Sequence, residues 1–214
     1  LVGSEMCIRD RYKSFVLPRS PRLSYKMAPD VPELPASDTA RRRAILATAQ
    51  ADPFNPKAYP ERGIDAFQYS SVLELAEAPA QPWVAPRAGV EPGTVQTHAL
   101  ASTILGNTRD IQLYRPAGWR PGGADNHVLV LFDAGPYLSR VPTPTILDNM
   151  IAAGVIPPTA AVLISNPTAD SRAAELPPNP DFADFLAREL MPWAARQGIA
   201  APAARTVIGG SSYG

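Results

Sequence analysis

Cysteine is almost absent: Cys7 is the only one in 214 residues. It lies in Leu1-Val-Gly-Ser-Glu-Met-Cys-Ile-Arg-Asp-Arg11, which reads as translated adapter sequence joined to the protein. The stretch lacks the apolar centre of a signal peptide, and residues 1–11 are set aside from fold reasoning. With Cys7 set aside, disulfides, a cysteine nucleophile and thiolate metal sites are excluded. The genuine N-terminus is then missing, so a targeting signal stays open. Histidine is scarce, with two residues, His98 and His127. Charge of one sign is lacking as well: 20 basic residues balance 20 acidic ones, so no global field favours nucleic acid or an anionic membrane. No apolar run is long enough to span a bilayer as a helix.

A composition 45% hydrophobic and 19% charged supports a core and argues against a mainly disordered chain. Proline is abundant, 25 residues, about 12% against a usual ~5%. Each one fixes φ and removes a donor, which predicts much ordered loop between elements.

Residues 12–36 predict short strands at Ser14–Leu17 and Leu23–Tyr25, then Pro29, Pro32 and Pro35, the tail of an upstream β-rich domain. Residues 37–92 predict a linker. Ser37 or Asp38 caps a helix over Thr39–Gln50 with Ile45, Leu46 and Ala49 on one face, and Arg41-Arg42-Arg43 as a solvated face. Asp52 to Gly93 reads as an extended wrap with a strand within Phe67–Leu75.

From residue 93 the pattern changes to α/β. Val95–Leu105 and Asp110–Tyr114 flank the turn pair Gly106-Asn107 and predict an antiparallel hairpin. Val128–Phe132, Ala160–Ile164 and Thr206–Ile208 are continuous apolar runs, as expected of parallel strands buried on both faces. Between them lie a helix over Thr145–Ala153, stopped by Gly154, and a second helix capped by Asp181. The second has Phe182, Phe185, Leu186, Leu190 and Trp193 on one face, and Pro192 should kink or end it. Hairpin, strand, helix, strand, helix, strand is the opening order of an α/β-hydrolase sheet. Residues 93–214 are read as its N-terminal half.

The third parallel strand runs into Gly210-Ser211-Ser212-Tyr213-Gly214, a G-x-S-x-G pattern. A serine hydroxyl needs a base to become nucleophilic, and this sharp strand-to-helix turn lifts it to where a histidine reaches it. The pattern arises by chance in about one chain in fifteen of this length, so its position after a fifth strand is what gives it weight. Ser212 is the expected nucleophile; Ser211 lacks the glycine two residues on. The Tyr213 N–H is one expected oxyanion donor. A second is expected from Ala134 or Gly135, after the Val128–Phe132 strand. His127 precedes a parallel strand and His98 lies in the hairpin, so neither completes a triad. The order nucleophile, acid, histidine places both partners beyond Gly214. Arg172 lies in the loop beyond the Ala160–Ile164 strand. It is placed to meet an anionic substrate or to steady the oxyanion, or else to pair with Glu175.

These residues resemble the enterochelin (enterobactin) esterases. The likeness rests on Ala51-Asp-Pro-Phe-Asn-Pro56, Leu73-Glu-Leu-Ala-Glu-Ala-Pro-Ala-Gln-Pro-Trp83 and Ile156-Pro-Pro158. It continues through Arg172-Ala-Ala-Glu-Leu176 and Thr206-Val-Ile-Gly-Gly-Ser-Ser-Tyr-Gly214. It implies that residues 12–36 end an N-terminal β-sandwich domain, and that the protein is a serine esterase that opens a catecholate siderophore trilactone to release iron, with ferric siderophore as substrate and no cofactor or resident metal. It implies a cytoplasmic site of action, a periplasmic one being the alternative. Family members commonly carry Asp-Gly after the third strand, where this chain has Asp133-Ala134-Gly135. A general or feruloyl-type esterase of the same fold and a non-catalytic binding member are the other readings. The 214 residues by themselves are expected to be inactive.

Overall fold

The computed structural model describes residues 14–29, 37–59 and 69–214; the expected adapter segment lies outside the described residues. By its internal contacts the chain divides into two compact units, Leu1–Ala80 and Gln81–Gly214.

In the first unit β1 (Arg22–Tyr25), β2 (Ala58–Tyr59) and β3 (Ser70–Glu74) form an antiparallel sheet with β3 in the centre. The stretch expected as linker therefore contributes two strands, and β3 pairs with the segment read as the sandwich tail. Tyr25 donates to Asp52 at 2.7 Å, and Ser71 Oγ accepts the Asp52 N–H at 2.8 Å. The Asn55 amide donates to Tyr25 and to the Val72 carbonyl. The Asp52–Pro56 loop is thus tied to the sheet by side chains, as prolines without an N–H require. The strand expected at Ser14–Leu17 does not form; the segment is not among the strands of this sheet. α1 (Asp38–Thr48) is capped by Ser37 Oγ, which accepts the Ala40 N–H at 3.4 Å. Of its expected apolar face only Ala49, just past its end, is buried; Ile45 and Leu46 are exposed.

The second unit is a five-stranded mixed sheet, order β4-β5-β7-β6-β8: β4 (Thr94–Ser102), β5 (Asn107–Arg115), β6 (His127–Phe132), β7 (Thr159–Ile164), β8 (Thr206–Gly209). β4 and β5 are the expected hairpin, closed by Gly106 at φ +62°. β5 runs antiparallel to β7, while β6 runs parallel to both β7 and β8. The three apolar runs are therefore parallel strands of one sheet. All six residues of β7 are buried. Their alternation sends Ala160, Val162 and Ile164 to one face, and Ala161 and Leu163 to the other.

On the first face lies a helix from Pro180 to Arg196, continuous through α5 (Pro180–Asp184), a π-helical stretch (Phe185–Leu190) and α6 (Met191–Arg196). It buries Phe182, Phe185, Leu190 and Ala194 against Ile111, Val128, Val130 and Val162. Asn179, not Asp181, is its cap, accepting from the N–H groups of Asp181 and Phe182; Pro180, which has no N–H to lose, takes the first helical position. Pro192 does not end this helix, which runs on to Arg196. The turns ahead of it are π-helical, with i to i+5 hydrogen bonding, so the N–H that proline lacks falls where the helix already departs from the regular ladder.

On the other face α2 (Ala134–Ser139) and α3 (Thr143–Ala152) cover Tyr114, Leu131, Ala161 and Leu163. Gly154, at φ +66°, closes α3: the Val155 N–H donates to the Met150 carbonyl at 2.9 Å. Burial, with the Asp148 carboxylate held against its hydroxyl, pushes the Tyr114 phenol up.

Candidate active site

The serine turn sits at the C-terminal end of β8, beside the C-terminal ends of β6 and β7, since these strands are parallel. Ser212 has φ +63°, and Asp133 has φ +56°; among the described residues these are the only two non-glycine residues at positive φ. An L-residue in this region costs about 1–2 kcal/mol, so the surrounding structure must impose it. Here the glycines do so. A Cβ on Gly210 would lie 2.0 Å from the Gly214 carbonyl carbon, and one on Gly214 would lie 3.0 Å from Phe132 Cβ. The turn is closed by the Gly214 N–H donating to the Ser211 carbonyl at 3.1 Å. Close approach of residues 210 and 214 is why glycine stands on both sides of Ser212, and Tyr213 follows it with its ring largely exposed.

Asp133 leaves β6 in the left-handed conformation and sits at the start of α2. The stretch Ala134-Gly135, expected as loop, is the first turn of that helix. Ala134 is buried, while a Cβ on Gly135 would meet nothing within 4 Å, so the space over Gly135 is open. The backbone N–H groups of a first helical turn have no partner within their own helix and so remain available as donors.

The Asp133 carboxylate joins three segments. Arg172 Nε donates to Asp133 Oδ1 and Arg172 Nη2 to Asp133 Oδ2, each at 2.7 Å, a two-point fork. The Asn166 amide donates to Asp133 Oδ1 at 2.6 Å. The guanidinium carbon of Arg172 lies 5.5 Å from the centre of the Tyr213 ring. Hydrogen bonding from Arg172 holds the Asp133 carboxyl below its ordinary value against the opposing effect of burial, and the same bond raises the Arg172 guanidinium.

Two expectations for Arg172 are corrected. It lies in a short helix, α4 (Ala169–Glu175), rather than in a loop, because Thr168 and Ser171 form a reciprocal cap. Its carboxylate partner is Asp133, not Glu175. Glu175 is turned inward to Arg109, which donates to both of its oxygens at 2.9 Å. The Arg109 guanidinium faces the rings of Phe182 and Phe185 at 5.7 and 4.9 Å.

Neither histidine is at the serine turn. His127 opens β6, four residues before Leu131, which is level with Gly209, or ~13 Å along the strand. Its ring is hydrogen-bonded at Nδ1 to the Asp125 carbonyl. His98 lies on β4, four strand spacings (~19 Å) from β8, packed edge-on against Trp193. Asn166 and the side chain of Asp133 were not singled out from sequence. Asp133 carried one signal, an acid at the exit of a buried strand, but its partner lies 39 positions away.

Two family models match. That described as "Enterochelin esterase, N-terminal" covers residues 11–84, and that described as "Putative esterase" covers residues 102–214. An iron(III) enterobactin esterase of Yersinia enterocolitica is 34% identical over 177 residues, covering 80% of this chain and 49% of the relative. The ferric enterobactin esterase of Salmonella typhimurium superposes with a TM-score of 0.73 at 27% identity, covering 92% of this chain and 52% of that one. The enterobactin esterase of Shigella flexneri, solved in the presence of enterobactin, gives 0.71 at 28%, covering 92% and 51%. The second unit is thus esterase-like in sequence. The chain belongs to the enterochelin (enterobactin) esterase family, and it spans about half the length of the relatives it matches.

Proposed function

We propose that the protein is a serine carboxylic-ester hydrolase of the α/β-hydrolase class that opens ester bonds of a ferric catecholate siderophore through an acyl-enzyme at Ser212. The observation that carries this reading is the left-handed Ser212, wedged between Gly210 and Gly214 at the end of a parallel strand. A strand-to-helix nucleophile turn has that geometry. The relatives' recorded substrates supply the siderophore.

In this reading Ser212 Oγ attacks the ester carbonyl and passes its proton to a base. The oxyanion forms against the N–H of Tyr213 and that of Ala134 or Gly135, and the alcohol leaves. Water repeats the sequence on the acyl-enzyme. Arg172 meets the negative charge of the ferric catecholate with the donor that its fork to Asp133 does not use. The base is neither His98 nor His127, and the triad order of this fold places acid and histidine after the serine in the chain. Residues 1–214 alone are therefore expected to hydrolyse no ester above background.

The test is product analysis with the gene-encoded protein and ferric enterobactin. Ser212→Ala should abolish release of dihydroxybenzoyl-serine units, and Ser211→Ala should largely spare it. Hydrolysis indifferent to Ser212→Ala removes the nucleophile assignment.

A further inference from the structure

Arg172 is not a free cation. The fork engages Nε and Nη2 and leaves Nη1 as the donor outside it, while Asp133 is locked in turn by Asn166 and by its own left-handed backbone. The fork is not what anchors α4. That helix is already held by the Thr168–Ser171 cap at its start and by the buried Arg109–Glu175 pair at its end. What Asp133 adds is the direction of one guanidinium, 5.5 Å from the ring that follows Ser212, and a negative charge against it.

We propose that Asp133 is a positioning residue that fixes Arg172 in one orientation at the serine turn and, by cancelling its charge, weakens the site's affinity for anions. The proposal rests on the reading of this turn as the site of ester hydrolysis. An unpaired arginine would hold a trianionic ferric complex tightly in many poses. The forked one meets it with a single edge, so that binding favours the pose in which the ester carbonyl reaches Ser212. Substrate affinity and turnover are then set against each other at one carboxylate.

The distinguishing consequence is an opposite movement of binding and rate. Asp133→Asn removes the charge and keeps the shape. In the gene-encoded protein it should bind iron(III) tris-catecholate, read by tryptophan quenching, about three- to tenfold more tightly at low salt, with the gain fading as salt rises. Its kcat on ferric enterobactin should fall by about tenfold or more, the fork no longer orienting the substrate. A carboxylate that served only stability would not tighten binding. In Asp133→Asn combined with Arg172→Ala the gain should vanish. Arg172→Lys, which keeps the charge and loses the fork, supplies an arm independent of any folding defect at position 133: binding within about twofold and a lowered kcat. Unchanged or weaker binding by a folded Asp133→Asn overturns the proposal. So does a gain that persists without Arg172, or an Arg172→Lys protein with undiminished kcat. The binding arm does not use Ser212, so turnover surviving Ser212→Ala would remove the hydrolytic reading while leaving the Asp133–Arg172 coupling readable.

Discussion

Ser212 and Gly210 are two ends of one constraint. With 2.0 Å between a residue-210 Cβ and the Gly214 carbonyl carbon, Gly210→Ala must push the turn open, and overpacking of this kind costs about 1–3 kcal/mol. Because the displaced backbone is the turn itself, the expected outcome is loss of ester hydrolysis larger than the loss of stability, checked by urea unfolding beside turnover. Asp133 gives a second residue-scale test through pH. Its carboxyl is held below the ordinary 3.8 in the folded protein, chiefly by Arg172. A depressed folded value means the ion pair contributes stability that is fully present above the unfolded value and is lost as pH falls through the folded one. Wild type should therefore exceed Asp133→Asn in stability at pH 5–7, and the gap should close below pH ~3.8, as read by unfolding midpoints across that range.

The start of the Pro180–Arg196 helix and the β4–β5 hairpin turn are each held by one side chain, and the two are separable. Asn179 accepts two N–H groups at the start of the Pro180–Arg196 helix. Asn179→Ala should cost about 1 kcal/mol, measurable in urea unfolding, with Asp181 unable to substitute because it lies inside the first turn. Within the π-helical stretch Glu189 turns to the β4–β5 hairpin. It accepts from Ser102 Oγ, Thr103 Oγ1 and the N–H groups of Thr103 and Ile104, which hold its carboxyl down against burial. Glu189→Ala leaves these donors without their acceptor at a buried Ser102, a loss of about 1–3 kcal/mol by the same measurement. What was legible at this scale follows from period and length. Val128–Phe132 and Ala160–Ile164 show as unbroken apolar runs because both faces are buried. Phe182, Phe185 and Leu190 show helical spacing because one helix face is buried. α2 and α4 carry no such signal: each is under two turns, and α2 contains Gly135 and Pro136, which read as loop. In the first unit β1 and β3 fall where strands were expected, at Leu23–Tyr25 and within Phe67–Leu75; their pairing was not legible across the intervening proline-rich loops, and β2 is only two residues long.

For the whole molecule, chain order revealed one sheet with an antiparallel hairpin and parallel strands, because alternating strands and helices favour parallel crossovers, while the lateral order β4-β5-β7-β6-β8 is set only in the fold. The serine turn was legible for the same reason, as a local motif with its strand attached. The Asp133–Asn166–Arg172 cluster was not, since its members come from three separate segments and meet only once β6 and β7 are paired in register. Strand order also sets the molecule's principal liability in isolation. β8 pairs with β6 on one side, and among the described residues no strand pairs with its other edge. Val207 and Ile208 on that strand are 57% and 58% exposed, and Tyr213 just beyond it is 57% exposed. A β-branched apolar pair on an open edge offers unpaired backbone groups and sticky side chains together, the combination that recruits another chain. Residues 1–214 expressed alone should therefore self-associate at micromolar concentration. Val207→Lys places a charge on that edge without touching the buried faces of β6 and β7. It should shift the population toward monomer in size-exclusion and light-scattering measurements, with far-UV circular dichroism unchanged. Self-association that Val207→Lys leaves untouched would locate the sticky surface elsewhere than on β8.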